Sequence, residues 1–247
     1  MIVLEKALSR PYEMIDMVTT PDGSPVAMVH CNNCTSDLNA WVNLFKEYQE
    51  LLGIPVDMNE VFGKLYNHAL KGDADCGGLM AYNYISGEPV TGLADGRPLF
   101  MRSAKSKFNL ANFMRANLYA SVGVLKIGND ILFNDEKVKV DRITGHGGLF
   151  KTPGVGQRIL AAAINSPISV METAGEGGAW GIALLAGYLV NNKSKMNLAD
   201  YLDKKVFAGN TGVEIAPTKE DVDGFNEYIK EYQNCLPVEQ EAVKLKK

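Results

Sequence analysis

The sequence predicts an α/β fold, and three observations predict it. From Val138 onward, strand-like and helix-like patterns alternate, and both strands leave through glycine turns, at Thr144 to Gly148 and Gly175 to Gly178. Two amphipathic helical stretches and one long helix precede that unit, after a β-rich opening. Apolar residues make up 46% of the 247 residues, enough to build a real core.

Taken in order, Ile15 to Thr19 and Val26 to His30 are β-rich runs joined across Pro21-Asp22-Gly23. Proline presets φ in that turn and glycine accepts a positive φ. Leu38, Trp41, Val42, Phe45, Leu51 and Leu52 recur at the helical period, with Ser36 as the expected N-cap and Gly53 as the stop. A second helix opens at Asp57, with Glu60 as capping-box partner and Val61, Phe62, Leu65, Tyr66 and Ala69 as its buried stripe, and Gly72 ends it. Gly77 to Arg97 is irregular around a short apolar run, Leu79 to Ile85. The long helix runs from about Leu110 to Asn129, capped by Asn109, with Leu110, Phe113, Met114, Asn117, Leu118, Ser121 and Leu125 on one side.

Val138 to Ile143 alternates like a strand, and the glycine turn follows. Thr152-Pro153 is expected to open a helix reaching about Ile164, with threonine as N-cap and proline at the first helical position. Ile168 to Met171 is the next strand. Glu176-Gly177-Gly178-Ala179 leads into a helix whose Gly181, Ala183, Ala186 and Gly187 permit close backbone packing. A charged amphipathic helix spans about Lys219 to Gln233, with Phe225, Tyr228, Ile229 and Tyr232 on its apolar side. Beyond Pro237 the polar tail is expected to fray.

A net charge of -4 gives no push toward nucleic acid or an anionic membrane surface. The longest apolar stretch, Ala179 to Val190, is too short to span a bilayer, and Met1 to Tyr12 has no signal-like apolar core. A cytoplasmic protein is the default expectation. Four cysteines in a chain of this length are not a disulfide scaffold. Cys31-Asn32-Asn33-Cys34 has no second pair to complete four zinc ligands and reads as structural. Asp73 and Asp75 read as a solvated turn, not a metal pair. His30, His68 and His146 are isolated in sequence.

Gly145 to Gly148, between a strand and a helix, is where chemistry concentrates. Glycine lets a ligand approach the backbone, and the next helix offers free N–H groups and the positive end of its dipole. Such a turn suits a nucleotide, but a tight structural turn explains the same glycines. A dinucleotide fingerprint competes: Gly145-x-Gly147 supplies its first two glycines, and Glu172 ends the next strand as a ribose-binding acid would. Its third glycine position is Phe150, which obstructs the close helix-to-strand packing that glycine permits.

Six segments, in order, resemble the C-terminal domain of the FGGY-type carbohydrate kinases, the group containing xylulokinases and ribulokinases. They are His30 to Phe45 with its Trp-bearing helix, Ser86-Gly87-Glu88, Arg115-Ala116, Gly147-Gly148-Leu149-Phe150-Lys151, Gln157, and Glu176 to Ala186. Pro217 and the Tyr228 to Tyr232 tail fit as well, so the resemblance covers nearly the whole chain.

The resemblance implies an actin-like ATPase (ribonuclease H-like) domain with helical insertions, spanning 1–247 as one unit with a helical tail over about 219–247. It implies ATP contacts at Gly147, Gly148, Leu149, Lys151 and Thr152, with Ser36 and Asn39 lining the other side of the nucleotide. Thr35-Ser36 departs from the glycines that many members carry there. It implies transfer of the ATP γ-phosphate to a sugar hydroxyl, with a ketopentose such as xylulose or ribulose as acceptor. The family's catalytic Asp, its Gly-Thr-Ser phosphate turn, most sugar contacts and most of the Mg²⁺ contacts lie in parts with no counterpart in these residues. No catalytic residue and no protein metal ligand is therefore assigned here, and the chain is expected to be a domain that needs an N-terminal partner. Alone, it is expected to phosphorylate sugar negligibly. A non-catalytic nucleotide-binding or interaction module of the same fold is the alternative, and a homodimer is compatible with the apolar surface that such a domain exposes.

Overall fold

The structure is a computed structural model that describes residues 1–191, 195–209 and 212–245. The chain opens with β1 (Ile2–Val3), β2 (Asp16–Thr19) and β3 (Pro25–Met28), an antiparallel sheet ordered β1-β3-β2. The β2–β3 hairpin falls where the turn chemistry puts it, with Met17 opposite Ala27 and Gly23 at φ +94°.

Next come α1 (Ser36–Leu51), α2 (Met58–Ala69), the antiparallel pair β4 (Met80–Tyr82) and β5 (Leu99–Met101), and α3 (Leu110–Asp130). The third sheet joins β6 (Ile143–Gly145), β7 (Ile168–Val170) and β8 (Val213–Ile215); β6 and β7 are parallel, and β8 is antiparallel to β7. Helix α4 (Val155–Ile164) connects β6 to β7, which is the expected βαβ unit. Helices α5 (Gly177–Asn191) and α6 (Leu198–Tyr201) lie between β7 and β8, and α7 (Lys219–Ala242) closes the chain.

Helix α3 is the centre of the core. It packs against α1, α2, α4, α7 and β4. The sequence pattern predicts one buried side, but the helix is buried all round from Ala111 to Val124. Several of its polar residues are also inside, where they find partners, although Asn117 Oδ1 has none among the described residues. Asn117 donates to the Phe113 carbonyl and Ser121 to the Leu118 carbonyl.

Arg115 makes the decisive polar contact of this core. Its Nη2 lies 2.5 Å from Asp221 Oδ1 of α7, and its Nη1 donates to the Gly72 carbonyl. Arg158 of α4 takes the other Asp221 oxygen at 2.7 Å, and Thr218 donates to that same oxygen. Tyr119 accepts from Arg115 and donates to the Ala74 carbonyl. Burial alone would raise the Asp221 carboxyl, but hydrogen bonds from Arg158, Thr218 and Arg115 hold it below the ordinary carboxylate range. Gly224 lets α7 approach this knot, since a Cβ there would collide with the Ala74 backbone.

Five further sequence expectations change. Ser36 is the first residue of α1 and not its cap; Thr35 holds the cap position and makes no side-chain cap bond. The strand expected from Val138 begins only at Ile143, because Val138 gives its N–H to Leu132 and β7 offers just three paired residues. Thr152 does not cap α4. The residue before a proline avoids the helical region, so Thr152 is extended, Pro153 follows, and Gly154 at φ +80° is the cap.

The small-residue face of α5 does not pack closely: a Cβ on Gly178 or Gly181 would meet open space, and Ile182, Leu189 and Val190 are exposed. The tail does not fray at Pro237, since α7 runs on to Ala242 and buries Glu239.

Arg115→Ala leaves Asp221 buried with one cation fewer and is expected to cost about 3–5 kcal/mol, read from urea unfolding. The depressed Asp221 pKa makes the knot's contribution fully present above the ordinary aspartate value; it is lost as pH falls through the folded-state value. Asp221→Asn should remove that part of the acid dependence.

Candidate functional site

Strand β6 ends in Gly145, whose missing side chain makes room for the Phe150 ring. That is the role the dinucleotide fingerprint leaves no room for, and the three-stranded mixed sheet is not the doubly wound sheet that fingerprint serves. Gly147 follows at φ +105° and ψ −178°, a conformation essentially restricted to glycine. Its N–H donates to the Ala174 carbonyl at 2.8 Å. A Cβ on Gly147 or Gly148 would touch nothing within 4 Å, so the turn presents open backbone to any ligand.

Gly148–Lys151 then winds into a 3-10 turn, with the Leu149 carbonyl against Gly156 of α4. Helix α4 therefore starts several residues beyond the glycines, and its N-terminus is not the one beside them. The start of α5 is. The Gly147–Ala174 bond joins the two glycine turns, and the His146 ring lies against Gly177, the first residue of α5. Lys151 Nζ meets Glu176 Oε1 at 3.2 Å, and its aliphatic stem runs beside Gly175. Both partners of this pair are mostly exposed, so it adds little stability. The arrangement is an open backbone turn, an adjacent helix N-terminus and a cation at the rim, which together suit a phosphorylated ligand.

The structure thus gathers Gly147, Gly148, Leu149, Lys151 and Thr152 on one stretch of chain and adds His146 and Glu176 to them. Ser36 and Asn39 sit exposed in the first turn of α1. No hydrogen bond or ion pair among the described residues joins them to Gly147–Thr152. Gln157 is committed to structure, its Nε2 donating to the Ile168 and Val213 carbonyls.

Sequence reasoning missed the network ahead of α1. Glu88, fully buried, accepts from the Asn32 and Asn33 backbones and from Asn33 Nδ2. Asn33 Oδ1 in turn accepts from the Ile85 and Ser86 backbones. An acid in a Ser-Gly-Glu loop opposite an Asn-Asn pair was the available signal.

Cys31 and Cys34 flank this network. Burial, then the nearby Glu88 charge, pushes Cys31 up to about 12 and raises Cys34 in the same order of causes. That is the reverse of a redox pair's activated thiolate. Asp73 is engaged by Lys107 and Asn112, and Asp75 caps the Gly77 N–H. No group of three or more His, Cys, Asp or Glu among the described residues is arranged to hold a metal. Likewise, no helix among them is long and apolar enough to cross a membrane.

A cavity of about 610 Å³ lies elsewhere, between the β4–β5 pair and α7, lined by Leu79, Met101, Arg102, Tyr228 and Lys230 among others. It shares no residue with the glycine turns, and its charged rim mixes both signs. Size alone makes it a candidate, but it lacks the backbone cradle.

Alkylation of Cys31 and Cys34 near neutral pH is expected to be slower than that of an unperturbed thiol, as mass spectrometry would read. Rapid labelling of Cys31 at pH 7 would contradict its shielding, whereas Cys34 is exposed and is slowed only by its raised pKa.

The sequence matches the FGGY family of carbohydrate kinases, C-terminal domain, over residues 1–190. No curated protein matches it. Among solved structures, the ligand-bound xylulose kinase of Lactobacillus acidophilus is similar at a TM-score of 0.69 and 16% identity, covering 97% of this chain and 46% of that one. The gluconate kinase of the same organism gives 0.68 and 16%, covering 96% and 44%. The ADP-bound glycerol kinase of Plasmodium falciparum gives 0.58 and 16%, covering 86% and 38%. The chain spans less than half the length of these kinases, and the fold it shares with them is the actin-like ATPase fold. With that fold in place and the match running from Met1 to Val190, the chain belongs to the FGGY family of carbohydrate kinases, to its C-terminal domain.

Proposed function

We propose that this chain is the nucleotide-binding half of an ATP-dependent carbohydrate kinase and that it holds the adenosine end of ATP on the Gly147–Gly148 turn. One observation carries the reading: the turn is open backbone, tied to the second glycine turn by the Gly147–Ala174 bond, beside the N-terminus of a fifteen-residue helix. Lys151 supplies a cation that can exchange Glu176 for a phosphate oxygen. Leu149 and Thr152 border the same surface, and Ser36 and Asn39 line the nucleotide from α1. Kinases of this family use ATP with a divalent metal. In this reading Mg²⁺, the base and the sugar pocket belong to the other half.

Phosphoryl transfer needs a base on the acceptor hydroxyl and a clamp that aligns the phosphates with it. In this reading the 247-residue chain supplies part of the clamp and no base. Its acceptor in the assembled enzyme is a sugar, with a ketopentose such as xylulose as the first choice. Similarity to xylulose kinases from several bacteria supports that choice, while similarity to a gluconate kinase keeps a sugar acid as the second. Closure of two halves around ATP would assemble the site and exclude water.

Calorimetric titration with Mg-ATP, ADP and NAD tests the reading. ATP and ADP should bind and NAD should not. Gly148→Trp, which meets open space and so should fold, is expected to weaken nucleotide binding by about tenfold or more. Lys151→Ala should leave the melting temperature nearly unchanged while weakening ATP about tenfold, as loss of a charged hydrogen bond does. Robust phosphorylation of xylulose by the chain alone would overturn the half-enzyme reading. Binding of NAD in preference to ATP would overturn the nucleotide assignment.

A further inference from the structure

The last turns of α7 hold an unusual contact. Pro237 has no N–H to give the Gln233 carbonyl, so the helix ladder is interrupted there, a natural hinge. Before the proline, α7 is fixed in the core: Tyr82 donates to the Tyr232 carbonyl at 2.5 Å, and the Tyr232 hydroxyl bonds that of Tyr84 at 2.7 Å. After it, Val238, Gln240 and Glu241 are exposed. Glu239 and Ala242 turn inward, Val243 packs partly buried against the core, and Glu239 is fully buried.

Glu239 Oε1 accepts the Arg97 N–H at 2.8 Å, and the Arg97 guanidinium reaches back to the Leu245 carbonyl at 2.9 Å. These two bonds clasp residues 238–245 to the loop at 95–97. Glu239 Oε2 has no protein donor among the described residues, and burial, only partly offset by the Arg97 hydrogen bond and charge, raises the carboxyl above its ordinary range. A buried carboxylate with one oxygen lacking a protein donor opposes closure, while Ala242 and Val243 favour it by packing on the core.

The clasped loop is itself tightly stacked. A Cβ on Gly96 would collide with the Tyr84 and Ser86 carbonyl oxygens at 2.5 Å, and one on Gly87 with the Ala94 carbonyl oxygen at 2.5 Å. From there Ser86 and Glu88 grip Asn33 and the Asn32 backbone, which lead into α1. A continuous run of contacts therefore joins the C-terminal turns to the entry of α1. We propose that residues 238–245 are a C-terminal latch, hinged at Pro237, whose closure on Arg97 holds the Ser86–Glu88 loop and, through Asn33, the entry of α1 in one conformation. The latch stands apart from the nucleotide reading, because its effect is read on the backbone at Asn32 and Asn33.

Hydrogen–deuterium exchange tests it on the full chain, on Glu239→Ala and on a chain ending at Pro237. In both variants, exchange at Arg97 and at Asn32–Asn33 should quicken by about tenfold or more, while α3 amides keep their protection. Unchanged exchange at Asn32–Asn33 would overturn the proposal, since the clasp would then end at Arg97. Equal loss of protection in α3, or failure of both variants to fold, would also overturn it, because the segment would then be a strut of the whole core.

Discussion

The ion pair between Arg115 and Asp221 is the constraint on which the rest of this structure depends. It ties the middle of the chain to its C-terminal helix across more than a hundred residues, and Arg158 draws α4 to the same carboxylate. Two charges so deeply buried stabilise only when every lone pair and N–H is used. Here the Tyr119 hydroxyl, the Thr218 hydroxyl and the Gly72 carbonyl complete the set. The knot fixes α3, α4 and α7 together, and α4 in turn fixes β6 and β7, from which the glycine turns emerge.

The candidate site is what that frame leaves uncovered. Both glycine turns leave β-strands of one sheet, and the Gly147–Ala174 bond makes them a single surface. Phe150 fills the space above Gly145, while Gly147 and Gly148 stay bare. The site's chemistry is accordingly one of positioning: backbone, helix end and one lysine.

Much of this was legible in the sequence, where local rules and tertiary structure agree. The β2–β3 hairpin, α2 with its Asp57 cap and α3 with its Asn109 cap follow from turn and capping chemistry. The misplacements come from tertiary context. Alternation at Val138 names a face, but a strand needs a neighbour, and only Ile143 onward has one. Thr152-Pro153 has the composition of a helix start, yet the 3-10 turn before it and Gly154 after it move the start to Val155. The glycine turn itself was legible; its pairing with α5 in place of α4 was not, because proximity across the sheet leaves no local trace. Polar residues beyond Pro237 read as a solvated end, while Glu239 is drawn inside by a backbone N–H that is 142 residues away in sequence.

The central claim is that nucleotide rests on the paired glycine turns, and an NMR titration of the ¹⁵N-labelled chain with Mg-ADP tests it most directly. Amide shifts should concentrate at Gly145–Thr152 and Ala174–Gly178. Shifts concentrated around Asp75, Arg102 and Tyr228, or no shifts at saturating ADP, would contradict it.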